Sequence, residues 1–160
     1  MRVLVTGSEG LIGRHVCMAL VAKGHTVLRR DLTLGDDITK PLSSPWTNPD
    51  VVIHLAGLAS PRECDANPTK AFDVNVNGTL QVLKGALESG ADKVIFASSA
   101  HVYGVGPRYL PTAETHPLSL DNTYTTTKIL GEQLCKLYWE NDGLAYTTLR
   151  LFNAYGPGQG

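Results

Sequence analysis

The 160-residue chain has no excess of charge of either sign: 14 lysines and arginines stand against 15 aspartates and glutamates, for a formal net charge of −1. Without a basic excess there is no electrostatic case for nucleic acid or an anionic membrane as partner. No apolar run approaches the ~18–20 residues of a membrane span. A leader of basic-then-apolar layout is missing too, because Met1 and Arg2 lead straight into Val3, Leu4, Val5, Thr6 and Gly7. Cysteine is scarce. Cys17, Cys64 and Cys135 lie far apart with no CxxC spacing, which argues against a zinc site and a disulfide framework and suits unpaired buried thiols in a reducing, cytoplasmic setting. There is no internal repeat and no low-complexity tract. What remains is 42% hydrophobic, too apolar for a disordered tail, at a length that fits one domain over 1–160.

Short β-branched runs alternate with longer helical patterns. Strands are predicted over 3–6, 25–30, 51–55, 93–98 and 147–152, and helices over 11–23, 69–88 and 122–140. Gly24 and the Ser89-Gly90 pair stand where helices should stop. Strand–helix alternation of this kind implies an α/β fold with a doubly wound parallel sheet and helices on both faces. Two stretches resist the scheme. Residues 32–50 hold Pro41, Pro45 and Pro49, so any element there is short, and residues 104–120 form a long proline-bearing loop of the kind that tends to be functional.

Gly7, Gly10 and Gly13 fall three apart between the first strand and the first helix. Such glycines let a pyrophosphate approach the helix N-terminus, where free N–H groups and the helix dipole favour anionic oxygens; the plainer reading is a glycine turn before a helix. Asp31 ends the second strand, 18 residues after Gly13. A carboxylate there accepts both adenosine ribose hydroxyls and repels a 2′-phosphate, which favours NAD over NADP, while the plainer reading is a strand-end acid in a turn. Arg29 and Arg30 pull the other way, since an arginine at this point pairs with the extra phosphate. Tyr124 and Lys128 form the one YxxxK of the chain, at i and i+4 on a helix face. A phenol titrates near ~10 and needs a neighbouring ammonium to bring it toward neutrality as a base. Ser99 sits just past an apolar strand, 25 residues before Tyr124, where its hydroxyl can face the same substrate oxygen. His54 reads as a strand-end histidine satisfied by hydrogen bonds.

Taken in order, TGSEGLIG at 6–13, Asp31, HLAG at 54–57, NVNGT at 75–79, SSAHVYG at 98–104, YTTTK at 124–128 and LRLFNAYGPGQ at 149–159 resemble the extended short-chain dehydrogenase/reductases, the nucleotide-sugar epimerase/dehydratase family. The resemblance covers essentially the whole chain and is nearest to the family's 4-epimerases. It implies a Rossmann-type three-layer sandwich and NAD as cofactor. It implies pyrophosphate contacts from Gly7, Gly10, Leu11, Ile12 and Gly13, and the adenosine ribose on Asp31. Asp37 and Ile38 are similar to an adenine-contacting pair, although they follow the second strand unusually closely. By the same resemblance Leu55, Ala56 and Gly57 pass the cofactor phosphates, Asn75 is a fourth catalytic residue, and Ser99, Tyr124 and Lys128 are the catalytic triad, with Asn75, Tyr124 and Lys128 also touching cofactor. Ser99, Tyr124 and Asn153 would meet a nucleotide-sugar substrate. No residue is assigned to a metal.

Two departures from the family pattern are informative. Its 4,6-dehydratases carry Asp-Glu directly after the catalytic hydroxyl residue, whereas this chain has Ala100 and His101, so β-elimination lacks its acid and base and epimerisation or one-way sugar oxidation remains. His101 is either a solvated loop histidine or an acid–base group in its own right. The family's C-terminal substrate domain is absent from these residues, so the chain is expected to be a fragment or a compact relative, and a cofactor-binding module without turnover stands as the rival reading. Family members commonly pair helices into homodimers. A homodimer is expected here through the helices around 69–88 and 122–140, with Leu130, Leu134 and Leu137 as a candidate stripe, unless that stripe faces the sheet.

Overall fold

The computed structural model describes residues 1–40 and 46–159. Five strands, β1 (Arg2–Thr6), β2 (Thr26–Arg30), β3 (Val51–His54), β4 (Lys93–Ser99) and β5 (Ala145–Leu151), form one sheet in the order β2-β1-β3-β4-β5. Every pair is parallel, with Thr6 beside both Arg30 and His54 and Ser99 beside Leu151. The first crossover carries the chain from β1 to β2 on one side, and β3 then lies on the other side of β1. The carboxyl ends of β1 and β3 therefore flank the switch point at which ligands bind in open α/β sheets.

The five helices are α1 (Leu11–Ala22), α2 (Pro61–Ala66), α3 (Pro68–Phe72), α4 (Gly78–Glu88) and α5 (Thr123–Asp142). Alternation along the strands sorts the core into two layers. Leu4, Val52, Val94 and Phe96 face Val82, Leu83 and Ala86 of α4 and Cys135 of α5, whereas Val3 and Val5 face Cys17 and Leu20 of α1. Phe96 is the largest fully buried side chain, and such burial contributes ~1.5–3 kcal/mol. α5 sits close to β4 because Gly131 has no side chain; a Cβ there would enter the Phe96 ring. The expected doubly wound parallel sheet is present, with two long helices on one face and α1 on the other.

Several boundaries differ from the sequence reading. β2 starts at Thr26, not at 25, and the last strand runs Ala145–Leu151 because Ala145 and Tyr146 pair with Lys93 and Val94, while Phe152 is 74% exposed beyond the strand. The helix expected over 69–88 starts at Pro68 and is interrupted by a π turn over Asp73–Asn77. α2 was not anticipated; its six residues are too few to show a periodicity. In the proline-bearing segment a 3₁₀ turn covers Leu32–Leu34 and Trp46 is buried in the main core, while Pro41 and Pro45 lie outside the described residues. The loop over 104–120 has no helix or strand, as expected. Of the α5 stripe, Leu134 packs on the core, whereas Leu130 and Leu137 are 36% and 46% exposed. All three cysteines are buried and unpaired. No helix among the described residues is long and apolar enough to cross a membrane.

Candidate active and dinucleotide-binding site

The glycine loop closes the switch point tightly. Gly7 leaves β1 with φ +69°, a conformation that L side chains rarely adopt, and a Cβ there would stand 2.6 Å from the Ala56 nitrogen. A Cβ on Gly13 would strike the Gly7 carbonyl oxygen, so the start of α1 rests directly on the loop. In front of Gly10 the space is open, since its Cβ would meet only the Gly7 oxygen at 3.4 Å. No side chain caps α1, so the first-turn N–H groups around Leu11 and Ile12 have no side-chain acceptor. A tight glycine floor fronted by uncapped helix donors fits the pyrophosphate of a dinucleotide.

At the end of β2 the Asp31 carboxylate accepts from Thr33 N–H and Oγ1 (3.0 and 2.9 Å) and from Glu9 N–H (3.0 Å). Burial raises its pKa, but these donors and Arg29 outweigh it and hold the group below the usual range, so Asp31 is a fixed anion beside the loop. Both arginines are paired: Arg29 with Glu9 at 2.8 Å and Arg30 with Asp36 at 2.7 Å. Asp37 is engaged locally by Thr39 N–H and Oγ1 (3.0 and 2.7 Å), and Ile38 packs on the main core with its terminal methyl where a Gly78 Cβ would be.

A continuous polar chain links β1 to the π turn beneath the site. Ala56 N–H donates to Thr6 Oγ1 (3.3 Å), and Thr6 Oγ1 meets His54 Nδ1 at 2.7 Å. Thr79 gives its single hydroxyl proton to the Asn75 carbonyl (2.6 Å), so it accepts from His54 Nε2–H (3.0 Å), which places a proton on Nε2. Desolvation, with Lys128 nearby, depresses the His54 pKa to about 3. His54 is thus a satisfied core residue, as its strand-end position suggested. The Asn75 amide is equally committed: its oxygen accepts from Leu58 N–H (2.8 Å), and its nitrogen donates to Leu58 O (3.1 Å) and Thr127 Oγ1 (3.0 Å). It ties the end of β3 to the helix that carries Tyr124 and Lys128. Gly57 lies against this amide, where a Cβ would be 3.0 Å from Asn75 Oδ1 and 3.6 Å from Lys128 Nζ.

α5 is fixed at its start by Asn122, which accepts Thr125 N–H (2.9 Å), and by Asp65 of α2, which accepts Thr123 N–H (2.9 Å). That anchoring brings Ser99, Tyr124 and Lys128 together. Ser99 stands near enough to the Tyr124 phenol to act on its pKa, and Lys128 Nζ stands 5.8 Å from the phenol ring centroid while donating to Ala97 O at 3.0 Å. One expectation is corrected here. The phenol is not brought down by its neighbour: burial raises its pKa, offset only in part by Ser99. The reason is local, because the Lys128 ammonium is turned to a backbone carbonyl and its own burial lowers its pKa to about 8. Cys64 is fully buried in one apolar cluster with Tyr124 and Ala71, and its thiol is raised mainly by desolvation. His101 donates its backbone N–H to Ser99 Oγ (3.2 Å) and sets its exposed ring edge-on to Tyr124 at 5.8 Å.

Asn153 lies two residues past β5, exposed, and no hydrogen bond among the described residues joins it to this cluster. Sequence reading missed Thr127, the partner of Asn75, although it stands inside the YTTTK motif. It also missed a buried ion pair behind the site. Glu132 accepts Ser98 Oγ (2.6 Å) and both arms of Arg150 (3.0 and 2.8 Å), and Arg150 reaches on to Tyr103 Oη and Glu114 O. Helical spacing placed Glu132 on α5 but gave no sign that it turned inward.

Comparison with known proteins agrees with this fold. A UDP-glucose 4-epimerase of Oryza sativa is 33% identical over 183 residues, matching 96% of this chain and 49% of its own length. The solved structure of Thermus thermophilus UDP-glucose 4-epimerase in complex with NAD is 30% identical with a TM-score of 0.91, covering all of this chain and 58% of that one. RMD from Pseudomonas aeruginosa, complexed with NADPH, is 32% identical with a TM-score of 0.88, covering 99% and 55%. The chain thus spans about half the length of the relatives it matches. Residues 3–160 match the NAD dependent epimerase/dehydratase family, and the chain belongs to that family.

Proposed function

We propose that this chain is the NAD-holding and proton-transferring part of a nucleotide-sugar epimerase of the 4-epimerase kind. The observation that carries the reading is the meeting of Ser99 and Tyr124, with Lys128 one turn further along α5, at the same sheet edge as the uncapped start of α1. Gly7, Gly10, Gly13, Leu11 and Ile12 would hold the pyrophosphate, Asp31 the adenosine ribose, Asp37 and Ile38 the adenine side, and Leu55 to Gly57 the inner phosphates. NAD, when bound, supplies a group that accepts a hydride from a sugar carbon and returns it. Tyr124 takes the proton of the sugar hydroxyl as the carbonyl forms, and Ser99 holds the same oxygen. Proton transfer at neutral pH depends on groups that offset the burial of the phenol. Ser99 already acts in that direction, and Lys128, with a pKa of about 8, keeps enough positive charge to hold the nicotinamide ribose. Asn75 positions Thr127 and the end of β3, and Asn153 would reach the substrate's phosphate side. No acid follows Ser99, which disfavours elimination.

The relatives that carry the name UDP-glucose 4-epimerase are about twice as long, so turnover by these residues alone is the part most at risk. The rival, a dinucleotide-binding module without turnover, rests on that same observation. The test is calorimetric titration with NAD alongside an assay that interconverts UDP-glucose and UDP-galactose. NAD binding with isomer formation that is lost in Tyr124→Phe supports the epimerase; stoichiometric NADH release supports a one-way dehydrogenase; binding without turnover supports the module. Absence of NAD binding overturns the reading altogether. We also propose a cytoplasmic homodimer through α3, α4 and α5, where Leu130 and Leu137 lie exposed beside Val76; a monomeric mass by light scattering at high concentration removes it.

A further inference from the structure

The mouth of the adenosine side holds an ion pair that the reading above does not use. Glu9, in the glycine loop, is reached by three groups. Arg29 Nη2 pairs with its Oε1 at 2.8 Å, Ser8 Oγ donates to the same oxygen at 3.1 Å, and the Glu9 backbone N–H donates to Asp31 Oδ2 at 3.0 Å. The same Arg29 nitrogen also donates to Ser8 O at 3.3 Å, so the guanidinium is drawn against the loop from two directions. The neighbouring Arg30 is taken by Asp36 at 2.7 Å. Glu9, Asp31 and Asp36 thus face Arg29 and Arg30, and the strand end that has two arginines in sequence carries a net negative charge in space.

We propose that Glu9 is a specificity-determining residue for the cofactor: by holding Arg29 on the glycine loop it withholds that guanidinium from a ribose 2′-phosphate. This rests on the dinucleotide reading of the loop. A 2′-phosphate brings close to two negative charges beside Asp31, and an arginine is the side chain best shaped to receive it. To do so here, Arg29 must leave a charge-assisted bond and expose Glu9 as a second repelling carboxylate. Discrimination then comes from a built-in penalty against the wrong ligand more than from a better fit to the right one. NAD, with a hydroxyl at that position, leaves the pair undisturbed. The pair is half exposed, so its effect on folding is small and its effect on choice is what matters.

The experiment is calorimetric titration of NAD and NADP into the wild type, Glu9→Gln, Arg29→Ala and the double variant. Glu9→Gln is expected to raise affinity for NADP relative to NAD about tenfold, a gain that Arg29→Ala removes in the double variant. Arg29→Ala alone is expected to move NADP affinity by less than about threefold, because in the wild type that side chain is already engaged. The inference is overturned by an unchanged NADP-to-NAD ratio in Glu9→Gln, or by a gain that survives in the double variant. A tenfold loss of NADP affinity in Arg29→Ala overturns it as well, and needs no glutamate variant to fold. If the wild type binds neither cofactor, the dinucleotide reading itself fails and takes this inference with it; if NAD binds and only the ratio is unmoved, the inference alone fails.

Discussion

The two helices that face the candidate site begin in opposite ways. α1 starts at exposed Gly10 with no side-chain cap, whereas α5 starts at Asn122, whose amide oxygen takes Thr125 N–H while Asp65 takes Thr123 N–H. Around α5 the chain's own groups fix the side chains at the site: Asn75, Thr127 and Lys128 all have partners and Tyr124 stands beside Ser99, although the buried Thr125 Oγ1 has no partner among the described residues. Around α1 the donors are left open and the side chains kept small. On the proposed function, the helix that would orient catalytic groups is closed off by protein, and the one that would receive an anion is not.

Forcing α1 off the glycine loop breaks this contrast most severely. Gly13→Ala puts a methyl group onto the Gly7 carbonyl, and the expected outcome is loss of all calorimetric NAD binding together with unfolding at much lower urea. Next comes the polar chain that joins the two ends through His54. The folded state holds His54 neutral down to about pH 3, while the unfolded chain protonates near 6.5, so the unfolded state binds more protons between these values. Stability that is fully present above pH 6.5 is therefore lost as pH falls toward 3, by on the order of 5 kcal/mol. Urea midpoints between pH 7 and 4 measure this loss, and His54→Asn should give a less stable protein with a flatter slope.

Lys128 sharpens the contrast on the closed side. Its folded pKa of about 8 lies below the ordinary 10.5, so the unfolded chain holds more protons between these values and stability rises with pH across that window. Lys128→Met is expected to stabilise the free protein at pH 7 by ~1–3 kcal/mol, with the gain gone by about pH 10.5, while weakening NAD. A destabilised Lys128→Met at pH 7 counts against this account. The smallest effect belongs to the cap itself: Asn122→Ala should remove ~1 kcal/mol by urea titration and leave NAD affinity where it was, because the open helix start is untouched.

Legibility in the sequence follows the same division. The glycine spacing, the strand ahead of it and Asp31 are local features, and each stands in space where its position along the chain suggested. YTTTK likewise placed Tyr124 and Lys128 on one helix, and the apolar run of β4 put Ser99 at its end. What the sequence withheld depends on contacts between distant residues. The pairing of Arg29 with Glu9 spans 20 positions and the Asn75–Thr127 bond spans 52, and neither leaves a periodic trace. The π turn escaped because one widened turn barely disturbs a 3.6-residue pattern, and Trp46 escaped because a proline-bearing segment gives no face to read. The raised Tyr124 phenol belongs to the same class: YxxxK spacing says that an ammonium is near, and only the fold says that it points at Ala97.

The unequal cover on the two sheet faces carries a kinetic consequence. β1 is paired on both sides and lies between α1 and the main core, whereas among the described residues β5 is paired only with β4 and leaves Leu149 41% exposed. Amide hydrogens of β1 should exchange with solvent only when the whole molecule unfolds, while those on the outer edge of β5 should exchange through local fraying. Between them Arg150 acts as a rivet, its guanidinium clamped by Glu132 of α5, so opening should spread along β5 to that residue and pause there before α5 is released.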